Sequence, residues 1–204
     1  LRGRGSLLGK ELDEMPDEAV TIFSGHGGAE AVERDAERGG RPSIDATCPL
    51  VSKVHAEGRR HAEKGQEIIM IGHNGHPEVE GTRGRIPGGV HVVSSSADVG
   101  DLKVKNPDKL AFVTQTTLSV DDTREIVASL RESFPAIQGP DLKDICYATQ
   151  NRQQSVRDLC NQVDLLLVIG AQNSSNSNRL MEIGLELGIK THLIEDAEAL
   201  REDW

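Results

Sequence analysis

Six short polar stretches carry nearly all the residues able to do chemistry: "SGHGG" (24–28), "DATCP" (45–49), "GHNGHPEVE" (72–80), "TQTTLS" (114–119), "DICYATQNR" (144–152) and "AQNSSNSNR" (171–179). Two hold cysteines, Cys48 and Cys146. Pro49 is suited to a first helical position, so Cys48 should sit at a helix N-terminus, and Cys146 also precedes a helical pattern. Such positions favour thiolate, the form that binds metal. The alternative for both is burial, because a free cysteine packs as a small hydrophobe. Two thiolates do not complete a metal site, so a third ligand must come from elsewhere. Cys160 is read differently: with Val156, Leu159 and Val163 it makes a helical apolar stripe, and it is assigned to the core.

Three serines and three asparagines crowd into "AQNSSNSNR". A helix cap needs one such residue, and the surplus points to an anion held by hydroxyls, amides and free backbone N–H groups. Neither GxGxxG nor GxxxxGK[ST] is present, so a nucleotide bound in the usual ways is not indicated. In "GHNGHPEVE", His73, His76 and Glu78 admit two readings. One is a metal site, but there is no HExxH and Pro77 keeps the three off one helix. The other has His76, with His26 of "SGHGG", donating to a phosphate while Glu78 serves as a general acid. The stretch "TQTT" supplies hydroxyls at a strand end; threonine favours strands in any case, but beside the acid these hydroxyls suit positioning a substrate hydroxyl or relaying a proton. His73 is left unassigned, and His55, His61, His91 and His192 are read as surface or structural.

These stretches need elements to position them. Strands are predicted at 20–24, 43–45, 67–72, 90–93, 110–114, 164–170 and 191–195. Most are continuous apolar runs, as expected of strands covered on both faces. Helices alternate with them. The segment after Ser119 has a capping box, Ser119 with Asp122, and a stripe of Ile126, Val127, Leu130 and Phe134. After Asn176 the stripe is Leu180, Ile183, Gly184 and Leu187. The order predicts small parallel α/β sheets, with the polar stretches at strand carboxyl ends, where such sheets bind ligands. Boundaries are expected within 139–144 and, less strongly marked, before Cys48, giving domains of residues 1–47, 48–143 and 144–204.

The bulk numbers bound the partners. The chain has 204 residues and a net charge of −10, which disfavours nucleic acid and anionic membrane. Its longest apolar run is far shorter than the ~20 residues a membrane helix needs. Three widely spaced cysteines make no disulfide framework, so a reducing, cytoplasmic location is the expectation. The chain starts at Leu1 and stops at Trp204 in a helical pattern, so a fragment of a longer protein is expected.

Taken together and in order, "DATCPLVSKVH", "GHNGHPEVEGT", "TQTTLSVDDT", "DICYATQNRQ" and "NSSNSNRL" resemble the 4-hydroxy-3-methylbut-2-enyl diphosphate reductases. The resemblance implies three α/β lobes around a central site. It implies a [4Fe–4S] cluster held by three cysteines, one per lobe, with one iron open to substrate. The implied reaction removes the substrate hydroxyl with two electrons and protons, in the last step of the methylerythritol phosphate route to isoprenoids. By motif, Cys48 and Cys146 correspond to two cluster ligands. His26, His76, Ser174, Ser175 and Asn176 correspond to diphosphate ligands, and Glu78, with Thr116 beside it, to the proton source. A ferredoxin or flavodoxin is the implied electron donor.

The family's first cysteine and a further histidine are expected upstream of Leu1, and a serine of the diphosphate site downstream of Trp204. Alone, this stretch is expected to hold a cluster poorly and to be inactive. The rival readings are a metal-dependent phosphoester hydrolase using His73, His76 and Glu78, and a non-catalytic phosphate-binding domain.

Overall fold

Every predicted strand forms, each shifted or trimmed by a residue or two at most. The computed structural model describes Pro16, residues 19–140 and residues 145–204. In chain order the elements are β1 (Thr21–Phe23), α1 (Glu30–Arg38), β2 (Ser43–Asp45), α2 (Pro49–Glu63), β3 (Glu67–Ile71), α3 (Pro77–Arg83), β4 (Val90–Val93), β5 (Leu110–Thr114), α4 (Val120–Ser133), α5 (Tyr147–Cys160), β6 (Leu165–Ile169), α6 (Ser175–Glu186) and β7 (Lys190–Ile194). They make three separate parallel sheets, β1–β2, β4–β3–β5 and β6–β7. The expected boundary at 139–144 lies partly outside the described residues.

The central sheet is the best covered. Alternate residues of β3 and β5 serve opposite faces, as a strand period of two requires. Ile69, Ile71, Leu110 and Phe112 pack on Ile126, Val127 and Leu130 of α4. Ile68, Met70, Ala111 and Val113 pack with Val54 of α2 and Val79 of α3. Both faces are thus closed by helices, which explains the unbroken apolar runs.

The outer sheets depart from that expectation. In β6, Leu166 and Val168 join Val156, Cys160 and Ile183 in a third core, whereas Ile169 on the other face is 75% exposed. Ile22 of β1 and Ile44 of β2 are exposed too. An apolar run therefore marks a strand here without marking two covered faces. Two stripe residues are corrected likewise. Leu159 is 46% and Leu187 51% exposed. α5 buries Thr149, Gln153, Val156 and Cys160, so Cys160 is core as read but Leu159 lies off the stripe. Leu187 is already the C-cap of α6, where the helical spacing no longer holds.

The helix starts are written in the sequence. Pro49 and Pro77 occupy first-turn positions of α2 and α3, and Ser119 caps α4 by accepting the Asp122 N–H. Ser174 caps α6, accepting the Ser177 N–H.

Glycines let the first sheet's loop press on α3. A Cβ at Gly81 would lie 2.8 Å from the Gly27 carbonyl oxygen, and one at Gly84 would strike Ala29. Arg85 fixes the approach: its Nε–H donates to the Gly28 carbonyl at 2.6 Å, and its guanidinium pairs with Glu33. Gly81→Ala should therefore lower stability by about 1–2 kcal/mol, despite Ala's helix advantage of about 1 kcal/mol. A drop in the urea midpoint checks this, and an unchanged or raised midpoint refutes the packing argument.

Candidate functional site

The carboxyl ends of β1, β3, β4, β5 and β6 border one cavity of about 1270 Å³. His26 reaches it from the loop after β1, and His73 and His76 from the loop after β3. Ser174, Ser175 and Asn176 line it from the head of α6. Tight turns at Gly27 (φ +74) and Gly75 (φ +79) bend the two histidine loops, a conformation that glycine adopts without penalty. The sequence-predicted anion ligands are thus brought together from all three sheets.

The electrostatics of the wall are unusual for an anion site. Burial first, then the neighbouring His26 and His73 imidazoles, push His76 down to about 4, so its ring is neutral at pH 7. Its Nδ1 accepts the Glu78 backbone N–H at 3.2 Å. The ring proton therefore sits on Nε2, where it is free to donate. His26 meets His76 edge-on, with ring centroids 5.7 Å apart. One cation was not foreseen: Arg179 lines the cavity, its guanidinium paired with Glu186 at 2.7 Å and Glu182 at 3.3 Å and its buried Nε–H left without a partner. The remaining donors toward the cavity are mainly neutral N–H and O–H groups.

Glu78 and Thr116 lie behind this wall rather than in it. Glu78 is 1% exposed. The Thr116 N–H donates to Oε1 at 2.7 Å, and the Thr116 hydroxyl donates to Oε2 at 2.9 Å. Burial raises the Glu78 pKa to about 7, against the lowering effect of those two bonds. The carboxyl is thus poised to give or take a proton near neutrality, as a general acid must be. The adjoining Thr117 does line the cavity.

Cys48 and Cys146 do not line the cavity, yet each is tied to a residue beside it. The Cys48 N–H donates to the Gly25 carbonyl and the Cys146 N–H to the Thr116 carbonyl. Both are N-caps, of α2 and α5, and both thiols are free and half-buried. Their type and placement suit thiolate ligation, and the described residues supply two such groups. His73, His76 and Glu78 do not converge on a point, because the Glu78 oxygens turn inward to Thr116. Among the described residues no three His, Cys, Asp or Glu side chains are grouped to hold one metal ion.

Sequence reasoning passed over Gln115 and Thr117. Gln115 is fully buried and bonds to His73, Thr117 and Ser175. A polar residue at a strand end carries no local signal of such contacts.

The family model described as LytB protein matches residues 4–204. The chain belongs to the LytB family. It is 55% identical over its whole length to a 4-hydroxy-3-methylbut-2-enyl diphosphate reductase of Zymomonas mobilis, of which it covers 60%. It is 56% identical to one of Acidithiobacillus ferrooxidans, of which it covers 65%. The chain thus spans about three fifths to two thirds of the length of these curated LytB relatives. Among solved structures, the E-1-hydroxy-2-methyl-but-2-enyl-4-diphosphate reductase of Plasmodium falciparum overlays with TM-score 0.87 at 36% identity, covering 95% of this chain and 61% of that one. A second, a (E)-4-hydroxy-3-methyl-but-2-enyl diphosphate reductase described as the terminal enzyme of the non-mevalonate pathway, gives 0.61 at 34% identity, over 91% and 66%. The fold of this LytB chain is that of small parallel α/β lobes. No helix among the described residues is long and apolar enough to cross a membrane.

The Glu78 environment has a stability consequence. In the unfolded chain this carboxyl loses its proton near 4.5, in the native protein near 7. Between those values the unfolded state binds fewer protons than the native state, so this group's contribution falls as pH rises. It is greatest below about 4.5 and level above about 7. Glu78→Gln removes the titration while its amide oxygen still accepts the Thr116 N–H and its NH2 donates to the Thr116 hydroxyl oxygen. The variant should gain on the wild type by on the order of 3 kcal/mol between pH 4.5 and 7. Urea melts across that range check it, and a flat difference overturns the assigned burial.

Proposed function

We propose that the complete protein reductively removes the hydroxyl of 4-hydroxy-3-methylbut-2-enyl diphosphate, giving isopentenyl and dimethylallyl diphosphate in the last step of the non-mevalonate isoprenoid route. The observation that carries this reading is a proton-holding carboxyl, Glu78, joined to Thr116 directly behind a cavity of neutral anion donors. The names of the relatives point the same way. We assign residues 1–47, 48–143 and 144–204 to three lobes, a division supported by the three separate sheets.

The anion end of the substrate takes hydrogen bonds from the His76 Nε2–H, His26, the Ser174 and Ser175 hydroxyls and the Asn176 amide. Neutral donors suit a doubly charged diphosphate on a chain of net charge −10, because the site gains selectivity from geometry rather than from bulk charge. At the other end the hydroxyl must leave as water. Thr116 passes its proton to the departing oxygen and is refilled by Glu78 across their 2.9 Å bond. Two electrons and a second proton complete the balance, with C–OH becoming C–H plus water. Protonation at one or the other end of the allylic unit gives the two products.

Cys48 and Cys146 would hold a [4Fe–4S] cluster with a third thiolate from outside the described residues. When bound, it supplies a Lewis-acidic iron for the hydroxyl and a store of electrons. A ferredoxin or flavodoxin delivers those electrons. Exposed Arg59 lies on α2, the helix that Cys48 caps, and gives an acidic carrier local positive charge, while Arg60 beside it is paired with Glu57 at 3.5 Å. We assign the enzyme to the cytoplasm, where such thiols stay reduced.

The test uses the full gene product with its cluster. Glu78→Gln should cut turnover by about 10²–10⁴-fold while the visible absorption of the iron–sulfur centre is retained. Wild-type turnover should fall as pH rises above about 7. A colourless protein with stoichiometric zinc, or full turnover in Glu78→Gln, overturns the assignment.

A further inference from the structure

We infer that Gln115 is a positioning residue that locks the two anion-holding loops together and orients the Ser175 hydroxyl toward the bound diphosphate. The inference rests on the reading of the cavity as a diphosphate site. Gln115 is not part of the cavity wall, and its side chain is fully buried behind it. Oε1 accepts the backbone N–H of His73 at 3.0 Å. That partner is a donor, so the orientation of the amide is fixed: the nitrogen must face the other way. There, Nε2 donates to the Thr117 hydroxyl at 2.9 Å and toward Ser175 Oγ at 3.5 Å. One amide therefore ties the loop of His73 and His76 to the head of α6.

The fit is tight on its other side. A Cβ at Gly72 would lie 3.0 Å from Gln115 Oε1 and 2.7 Å from Val79, so the histidine loop closes directly over the amide. The residue type matters as much as the place. The position needs an acceptor for His73 and donors for Thr117 and Ser175 at once. Glutamine supplies both, whereas glutamate supplies only acceptors and methionine neither.

The Ser175 arm bears on binding. The Ser175 hydroxyl donates to the Thr117 carbonyl at 3.4 Å, a long bond. A diphosphate oxygen is a stronger acceptor and would draw that hydrogen away. The Gln115 Nε2–H then donates to Oγ from behind and polarises the O–H toward the anion. Glutamate at this position would instead accept the Ser175 hydrogen and withhold it from the ligand.

The test is titration of inorganic diphosphate into the full gene product by calorimetry, with thermal melts to confirm folding. The variants are Gln115→Met, Gln115→Glu, Ser175→Ala and the Gln115→Met/Ser175→Ala double. Gln115→Met and Gln115→Glu should each weaken Kd by about tenfold, the scale of one lost hydrogen bond. The double variant should be weaker than Ser175→Ala by clearly less than the Gln115→Met factor, because part of that effect acts through Ser175. General loosening of the fold would instead multiply the two factors. Multiplying factors, or affinities within twofold of wild type in both Gln115 variants, overturn the inference while leaving the cavity a diphosphate site. A wild type that binds no diphosphate overturns the functional reading and this inference with it. Should Gln115→Glu not fold, Gln115→Met and its double carry the same decision.

Discussion

The Glu78 carboxyl is buried, and both its oxygens are engaged by Thr116, 38 residues away in sequence. An ionised carboxylate in that place is costly, and the two bonds offset only part of the cost. The protein therefore holds a proton there up to about pH 7. Much of the local structure follows from that constraint. Pro77 starts α3 so that Glu78 is in its first turn, aimed inward. Val79 packs on the central sheet beside it. The end of β5 must arrive at the same point, since Thr116 offers both its N–H and its hydroxyl. The central sheet, closed on both faces, is what makes such a meeting reproducible.

Around that centre the three sheets contribute unequally. The central one supplies the buried carboxyl, the hydroxyl bonded to it and two histidines. The others supply His26 and the serines of α6, from sheets with an exposed apolar face. Cys48 and Cys146 are each hydrogen-bonded to a loop that also bears a site residue. Moving either loop would move a thiol and a site residue together.

Much of this was legible in the sequence, for reasons that differ by element. The strands were legible because a parallel sheet writes its burial as an apolar run, and the helix starts because Ser and Pro act locally on free N–H groups. The histidines, serines and asparagine that line the cavity were legible as types at loop positions, and the resemblance ordered them. What failed depended on neighbours. Leu159 and Cys160 are adjacent on one helix, and only the placement of the β6–α6 core decides that Cys160 is the buried one. The open faces of β1, β2 and β6 could not be told from closed ones, because a run of apolar side chains says nothing about what covers it. Gln115 was invisible because its partners lie 42 and 60 residues away, and no local pattern encodes them.

His76 completes the account of protons in the site. It is adjacent to the acid, and a charged imidazole there would pull the Glu78 proton off by favouring carboxylate. Burial and the two neighbouring imidazoles keep it neutral instead. The bond from the Glu78 N–H to Nδ1 then fixes the tautomer. Below about pH 7 the pair thus holds one proton on the carboxyl and one fixed donor on Nε2. Only Pro77 separates the two groups in the chain, yet one lines the cavity and the other turns inward to Thr116. The Glu78 backbone N–H, accepted by the capping His76 Nδ1, fixes the imidazole at the cavity while the Glu78 carboxyl turns the other way, to Thr116.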